Sequence, residues 1–165
     1  MPAMSDVKTP TKPAGYEQDL FAWANDQAVR LRDTRPKGID WENLAEEIES
    51  VGRSQKTEIR NRLRILLIHL LKWQHQPRRR SASWQSTISE QRISIEGVIE
   101  DSPSLRRYPS EILATAYESA RERAAFETKL PLSSFPDSSP YSIKEVLDPR
   151  FMPGRDWSLD ELLDE

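Results

Sequence analysis

Along most of this chain, apolar positions recur every three or four residues, the pattern of helices that bury one face. Tyr16, Leu20, Trp23, Gln27 and Leu31 fall at that spacing, with Ala24 and Ala28 filling the same side. They predict a first helix over residues 16–33, ending before Arg35-Pro36-Lys37-Gly38. Asp40 is placed to cap a second helix, and the stretch Trp41 to Gln76 that follows is the most telling part of the sequence. It starts acidic, turns basic, and finishes as the apolar run Leu63-Arg64-Ile65-Leu66-Leu67-Ile68-His69-Leu70-Leu71.

Gly52 raises the question of one helix or two. A break there puts Arg53 and Lys56 at a helix start, where the dipole disfavours cations. A continuous helix puts Asp40, Glu42, Glu46, Glu47 and Glu49 towards the N-terminus and sets Glu49 one turn before Arg53, the favourable order for a pair. Glycine in a helix interior costs only about 1 kcal/mol relative to alanine. The reading is one helix, straight or kinked at Gly52, with a sharp corner as the alternative. Gln76-Pro77 ends it.

Ser81 or Ser83 can cap a third helix carrying Trp84, Ile88, Gln91, Ile95, Val98 and Ile99 on one side and closing at Asp101-Ser102-Pro103. Ser102-Pro103 also reads as cap and first position of the next helical segment. Ile112, Leu113, Ala116, Tyr117, Ala120 and Ala124 form the inner face of a fourth helix running to Lys129, with Pro109 in an early turn or separating off a short piece. Leu130 to Pro140 reads as a wrapping loop, and Ser142 with Glu145 as a capping box for a short helix at 143–148. No strand pattern and no repeat of 20–50 residues is visible. The expectation is an all-α, compact bundle of about four main helices around a long central one, with a short C-terminal helix. Residues 1–15 read as a disordered lead-in, 16–153 as the helical domain, and 154–165 as an acidic tail. Trp157, Leu159, Leu162 and Leu163 make that tail a short amphipathic motif for a partner groove, or a segment that folds back on the domain.

Composition narrows the function classes. The 165 residues are 36% apolar and 31% charged, with a net charge of −3 and no cysteine. Disulfides, thiolate metal sites and thiol catalysis are excluded. The charge gives no global reason to expect binding to nucleic acid or to an anionic membrane. The N-terminus lacks the apolar core of a secretory signal, and the longest apolar run falls short of the roughly 20 residues that span a bilayer. The cytoplasm is the expected compartment.

Several word-like segments carry a family resemblance. They are Tyr16-Glu17-Gln18-Asp19-Leu20-Phe21-Ala22-Trp23, Asp40-Trp41-Glu42-Asn43-Leu44-Ala45-Glu46-Glu47-Ile48-Glu49-Ser50-Val51-Gly52-Arg53-Ser54, His69-Leu70-Leu71-Lys72-Trp73-Gln74, Arg80-Ser81-Ala82-Ser83-Trp84, Glu90-Gln91-Arg92 and Asp101-Ser102-Pro103-Ser104-Leu105. Over residues 16–153 the chain resembles the bacterial family catalogued as the domain of unknown function numbered twenty-nine. The resemblance implies a small all-helical protein. It implies no reaction, cofactor, metal or ligand, so no catalytic residue is carried over.

The candidate chemistry is sparse. Glu42, Glu46, Glu47 and Glu49 offer carboxylates, but the Glu-x-x-His pairs of helical di-metal sites are missing, and a dipole-favoured helix start paired with Arg53 explains them. His69, set among leucines, is a general base or, more ordinarily, a hydrogen-bonded core histidine. Trp41, Trp73 and Trp84 read as corners that seat helix ends. Lys72, Arg78, Arg79 and Arg80 beside Trp84 form the best local basic patch, and Arg53, Lys56, Arg60 and Arg64 form a basic stripe. Either is a phosphate contact or a set of cations pairing with carboxylates of an acidic protein. A candidate polar pocket gathers Glu46 or Glu49, His69, Arg80, Trp84, Gln91 and Arg92, with Gln27 and Arg62 alongside.

Three functions compete. With no catalytic motif, no nucleophile elbow and no phosphate loop, a protein-interaction or regulatory module leads. A nucleic-acid-associated protein using the basic residues, and an enzyme or small-ligand binder using the polar pocket, are the alternatives. Nothing in the sequence specifies a homo-oligomer.

Overall fold

The computed structural model describes residues 15–35 and 37–154. The readings on residues 1–14 and 155–165, including Trp157, Leu159, Leu162 and Leu163, lie outside them. The described residues form five α-helices, three 3₁₀ turns and no strand. They are α1 (Leu20–Thr34), α2 (Trp41–His75), α3 (Ala82–Asp101), α4 (Tyr108–Thr128) and α5 (Ile143–Leu147).

α2 is the axis of the molecule. Its 35 residues run unbroken through Gly52 and span about 52 Å at 1.5 Å per residue. α1 packs antiparallel along its front half, and α3 and α4 pack along its rear half. Gly52 is a point of close approach rather than a breaker: a Cβ there would lie 3.1 Å from the Phe21 ring and 3.6 Å from the Asn25 side-chain amide. The front half meets α1 through small residues, with Ala24, Ala28, Ala45 and Gly52 all buried.

The large side chains are at the other end. Ile59, Leu63, Leu66, Leu67, Leu70, Leu71 and Trp73 of α2 meet Ile88, Ile95 and Ile99 of α3, Tyr117 and three alanines of α4, and Phe135, Tyr141 and Val146 beyond it. This cluster is the core. Burying such side chains contributes roughly 1.5–3 kcal/mol each, against almost nothing for an alanine.

α1 begins later than its periodicity predicts, at Leu20 instead of Tyr16. Residues 16–18 form a turn closed on the Gly15 carbonyl, which accepts from the Gln18 and Asp19 amides at 2.9 and 3.1 Å. The reason is tertiary. Asp19 is a buried cap that accepts from the Ala22 amide at 2.7 Å and, across the molecule, from the Ser104 amide at 2.6 Å. The Phe21 amide donates to Ser102 Oγ at 3.2 Å. This clasp ties the root of α1 to the corner between α3 and α4.

Ser81, not Ser83, caps α3. The Ser102-Pro103 signal forms a separate 3₁₀ turn, Pro103–Leu105, and Pro109 sits in the first turn of α4, where its missing N–H costs nothing. The loop after α4 is fixed from below. Arg121 donates to the carbonyls of Phe135 and Leu132 and to Asp137, and the Tyr117 hydroxyl donates to the Pro136 carbonyl at 2.8 Å. The Ser142/Glu145 capping box is present and starts α5. Among the described residues no helix is long and apolar enough to cross a membrane.

Candidate functional site

The polar residues singled out from sequence are distributed over several places. The acidic front of α2 is the first. Arg32 of α1 reaches across the hairpin, bonding Glu49 through both ends of its guanidinium and Glu42 at 3.1 Å, with Glu46 at 3.6 Å. Arg53 donates to Glu46 at 2.8 Å and stands 3.7 Å from Glu49. The hydrogen bonds from Arg32 hold the Glu49 carboxyl below the ordinary glutamate range. Each carboxylate of this row except Glu47 thus faces a guanidinium, an arrangement that links two helices. Most of these pairs are solvated, so they add little to stability. Among the described residues no group of three or more acids and histidines is placed to hold a metal ion.

His69, Lys72 and Trp84 do come together, where α2 meets α3 and α4. Lys72 Nζ lies 4.7 Å over the Trp84 ring and donates to Glu127 at 2.9 Å, and Glu127 also accepts from Arg123 at 2.8 Å. Burial alone would raise the Glu127 pKa, but these two cations hold it below the ordinary value. Half-buried His69 has its Nδ1 2.9 Å from the Ile65 carbonyl one turn back, so that nitrogen carries the proton and donates. Burial lowers the His69 pKa and the Lys72 charge adds to this, against the raising influence of the Ile65 carbonyl and Glu127. A neutral imidazole bonded to its own helix is a packing element.

Arg80 and Arg92 serve the C-terminal segment. Arg92 is 6% exposed and donates from Nε to the Val146 carbonyl at 2.9 Å and from Nη2 to the Phe151 carbonyl at 2.8 Å. Burial pushes its pKa down to about 10, with Asp148 opposing, so it stays charged at neutral pH. Arg80 lies 5.1 Å over the Trp73 ring, donates to the Trp73 carbonyl at 2.9 Å, and borders Gly154. The Tyr141 hydroxyl bonds the Gln74 side chain, and its ring packs edge-on to Phe151 at 5.7 Å. Together these contacts form a latch that presses residues 141–154 onto the rear of α2 and α3.

Gln91 accepts from Arg62 at 3.3 Å, and Arg62 pairs with Glu58 at 2.7 Å. Arg78 and Arg79 project from the 3₁₀ turn Pro77–Arg79, exposed and without an ion pair among the described residues. Of the expected basic patch, then, Lys72 and Arg80 are committed to the fold and Arg78 and Arg79 face solvent. Gln27 bonds its neighbour Asp26 at 3.2 Å. The polar pocket therefore divides into the α1/α2 ion-pair row, the His69–Lys72–Trp84 cluster, the Arg62–Gln91 pair and the C-terminal latch.

Sequence reasoning missed Arg32, Glu127, Arg121 and the Asp19–Ser104 clasp. Only Arg32 left a signal: it ends a predicted helix and is joined by a short turn to an acidic helix start.

One flank of the α1/α2 hairpin carries a row of partly exposed apolar side chains. At 100° per residue, Leu44, Ile48 and Val51 form a stripe beside the Ala45/Gly52 line that faces α1, and Leu20, Trp23, Gln27 and Leu31 form the matching stripe on α1. In an antiparallel pair both stripes fall on the same flank, while Arg32 and its glutamates occupy the other. The Arg62–Gln91 bond puts α3 on the apolar flank further along α2. α3 ends at Asp101, short of the front, where Leu44 is 40% and Val51 39% exposed.

Fold and surface thus define a class: an all-helical domain with a projecting two-helix arm. The family model for the domain of unknown function DUF29 matches residues 16–152, and the chain belongs to that family. A solved structure with a similar fold is an alpha-helical protein of unknown function from Rhodospirillum rubrum, 24% identical, with a TM-score of 0.61. The match covers 83% of this chain and 91% of that one. None of the curated proteins matches.

Proposed function

We propose that this protein is a helical interaction module that works as a self-associated pair, with the α1/α2 arm as its docking element. The observation that carries this reading is the half-exposed apolar flank built by Trp23, Leu31, Leu44, Ile48 and Val51. The occupant is a second copy of the chain. Lys37 stands in the turn after α1, and Glu47 stands on the front of α2 one turn from both Leu44 and Val51. A two-fold axis parallel to the helices lays α1 of each copy over α2 of the other, bringing the Lys37 turn of one towards Glu47 of the other and closing a four-helix bundle. Among the described residues, neither Lys37 nor Glu47 has an ion pair. α1 of the second copy then lies in the line of α3, where that helix stops short.

Light scattering coupled to size-exclusion chromatography tests this. The wild-type chain runs at twice its 19.1 kDa mass. Leu44→Glu combined with Val51→Glu runs as a monomer with unchanged helicity, because both side chains face solvent in the single chain. A monomeric wild-type protein at high concentration refutes the proposal.

A further inference from the structure

A second surface is built for a different ligand. Between α2 and α4 lies a groove of about 390 Å³, within the range of roughly 300–1,000 Å³ typical of small-ligand pockets. Arg60, Asn61 and Arg64 line it from α2, and Tyr108, Thr115 and Ser119 from α4. Ile112 supplies an apolar wall.

These groups have little to do within the fold. Arg64, Asn61, Thr115 and Ser119 make no side-chain hydrogen bond among the described residues, and Arg60 has only a 3.5 Å contact to Thr57. Lys56, one turn before Arg60, sits 5.1 Å over the Tyr108 ring and 4.8 Å over the Phe21 ring, with no carboxylate partner among the described residues. Elsewhere Arg30, Arg32, Arg53, Arg62, Arg121 and Arg123 each meet an acid. Three cations repeated at one-turn intervals repel one another and disfavour their own helix unless an anion lies among them. The acids of this part of α4, Glu111, Glu118 and Glu122, stand on the adjoining edge and do not line the groove.

We propose that this groove binds a small phosphate ester. The phosphoryl oxygens lie between the Arg60 and Arg64 guanidinium groups, which suit bidentate contact with such an oxyanion. The Thr115 and Ser119 hydroxyls and the Asn61 amide donate to the remaining oxygens, and the organic part rests on Ile112 and the Tyr108 ring. Overall negative charge does not oppose this, because binding is decided by the local field of Arg60 and Arg64, with Lys56 one turn away.

The test is a titration of the full chain, followed by amide chemical shifts, with phenyl phosphate, inorganic phosphate and phenol as probes. Phenyl phosphate is expected to shift the amides of Asn61, Thr115 and Ser119 saturably, inorganic phosphate more weakly, and phenol not at all. Arg64→Gln, exposed and helix-compatible, is expected to weaken phenyl phosphate at least about tenfold, as loss of a charged hydrogen-bond pair implies. The inference falls if phenyl phosphate produces no saturable shift, if phenol matches it, or if binding survives Arg60→Gln with Arg64→Gln. It also falls if a single-stranded oligonucleotide moves these amides while phenyl phosphate does not. The arm variants Leu44→Glu and Val51→Glu leave this titration unchanged, so the result is independent of self-association.

Discussion

The two halves of α2 are held in place by different physics. The rear half is enclosed: Leu63, Leu66, Leu67, Leu70 and Leu71 have no exposed surface and meet α3, α4 and the C-terminal segment. Among the described residues, positions 41–53 of α2 pack on α1, through alanines, a glycine and a row of solvated ion pairs. Apolar area removed from water dominates stability, and exposed ion pairs add little. The rear is therefore a body that folds for its own sake, and the front is an arm whose lasting order depends on what covers it. Placing small residues at the α1/α2 seam brings the helices close and turns the larger ones, Leu44, Ile48 and Val51, to the outside.

The contrast can be sharpened by substitution. The largest effect belongs to the body. Leu67→Ala removes a wholly buried side chain and should cost about 2–5 kcal/mol in denaturant unfolding. The latch comes next. Arg92→Leu leaves the Val146 and Phe151 carbonyls without their donor and should cost about 1–3 kcal/mol. Hydrogen exchange should then quicken around residues 146–151 and stay unchanged in α1.

Acid gives the smallest effect. His69 and His75 both have pKa values lowered by burial from the ordinary histidine value of about 6.5. The unfolded chain therefore takes up protons before the folded one does, and stability falls as pH drops below that value. The melting temperature should decline between neutrality and pH 5.5 and hold steady on the alkaline side. His69→Gln should flatten part of that decline. A melting temperature that rose over the same interval would show that these imidazoles gain, rather than lose, proton affinity on folding.

Much of the body was legible from periodicity and caps. The apolar run of α2, the face of α4, and the Asp40 and Ser142 caps act through neighbours three or four residues away, and local spacing reveals them. The start of α1 was not legible, because Asp19 is fixed by Ser104, 85 residues on. The partners of the candidate pocket residues were hidden for the same kind of reason. Arg92 looks like a site residue in sequence, yet its partners are backbone carbonyls 54 and 59 residues away, and no side-chain pattern announces a carbonyl. The basic stripe was visible, but its unspent donors became evident only when α4 set Tyr108, Thr115 and Ser119 opposite Arg60 and Arg64.

Hydrogen exchange of the wild-type chain at low and high protein concentration tests the division of labour most directly. The account predicts that residues 59–73 stay strongly protected at both, while α1 and residues 41–51 exchange faster when dilute and gain protection as concentration rises. Uniform protection along α2, unmoved by concentration, would contradict it.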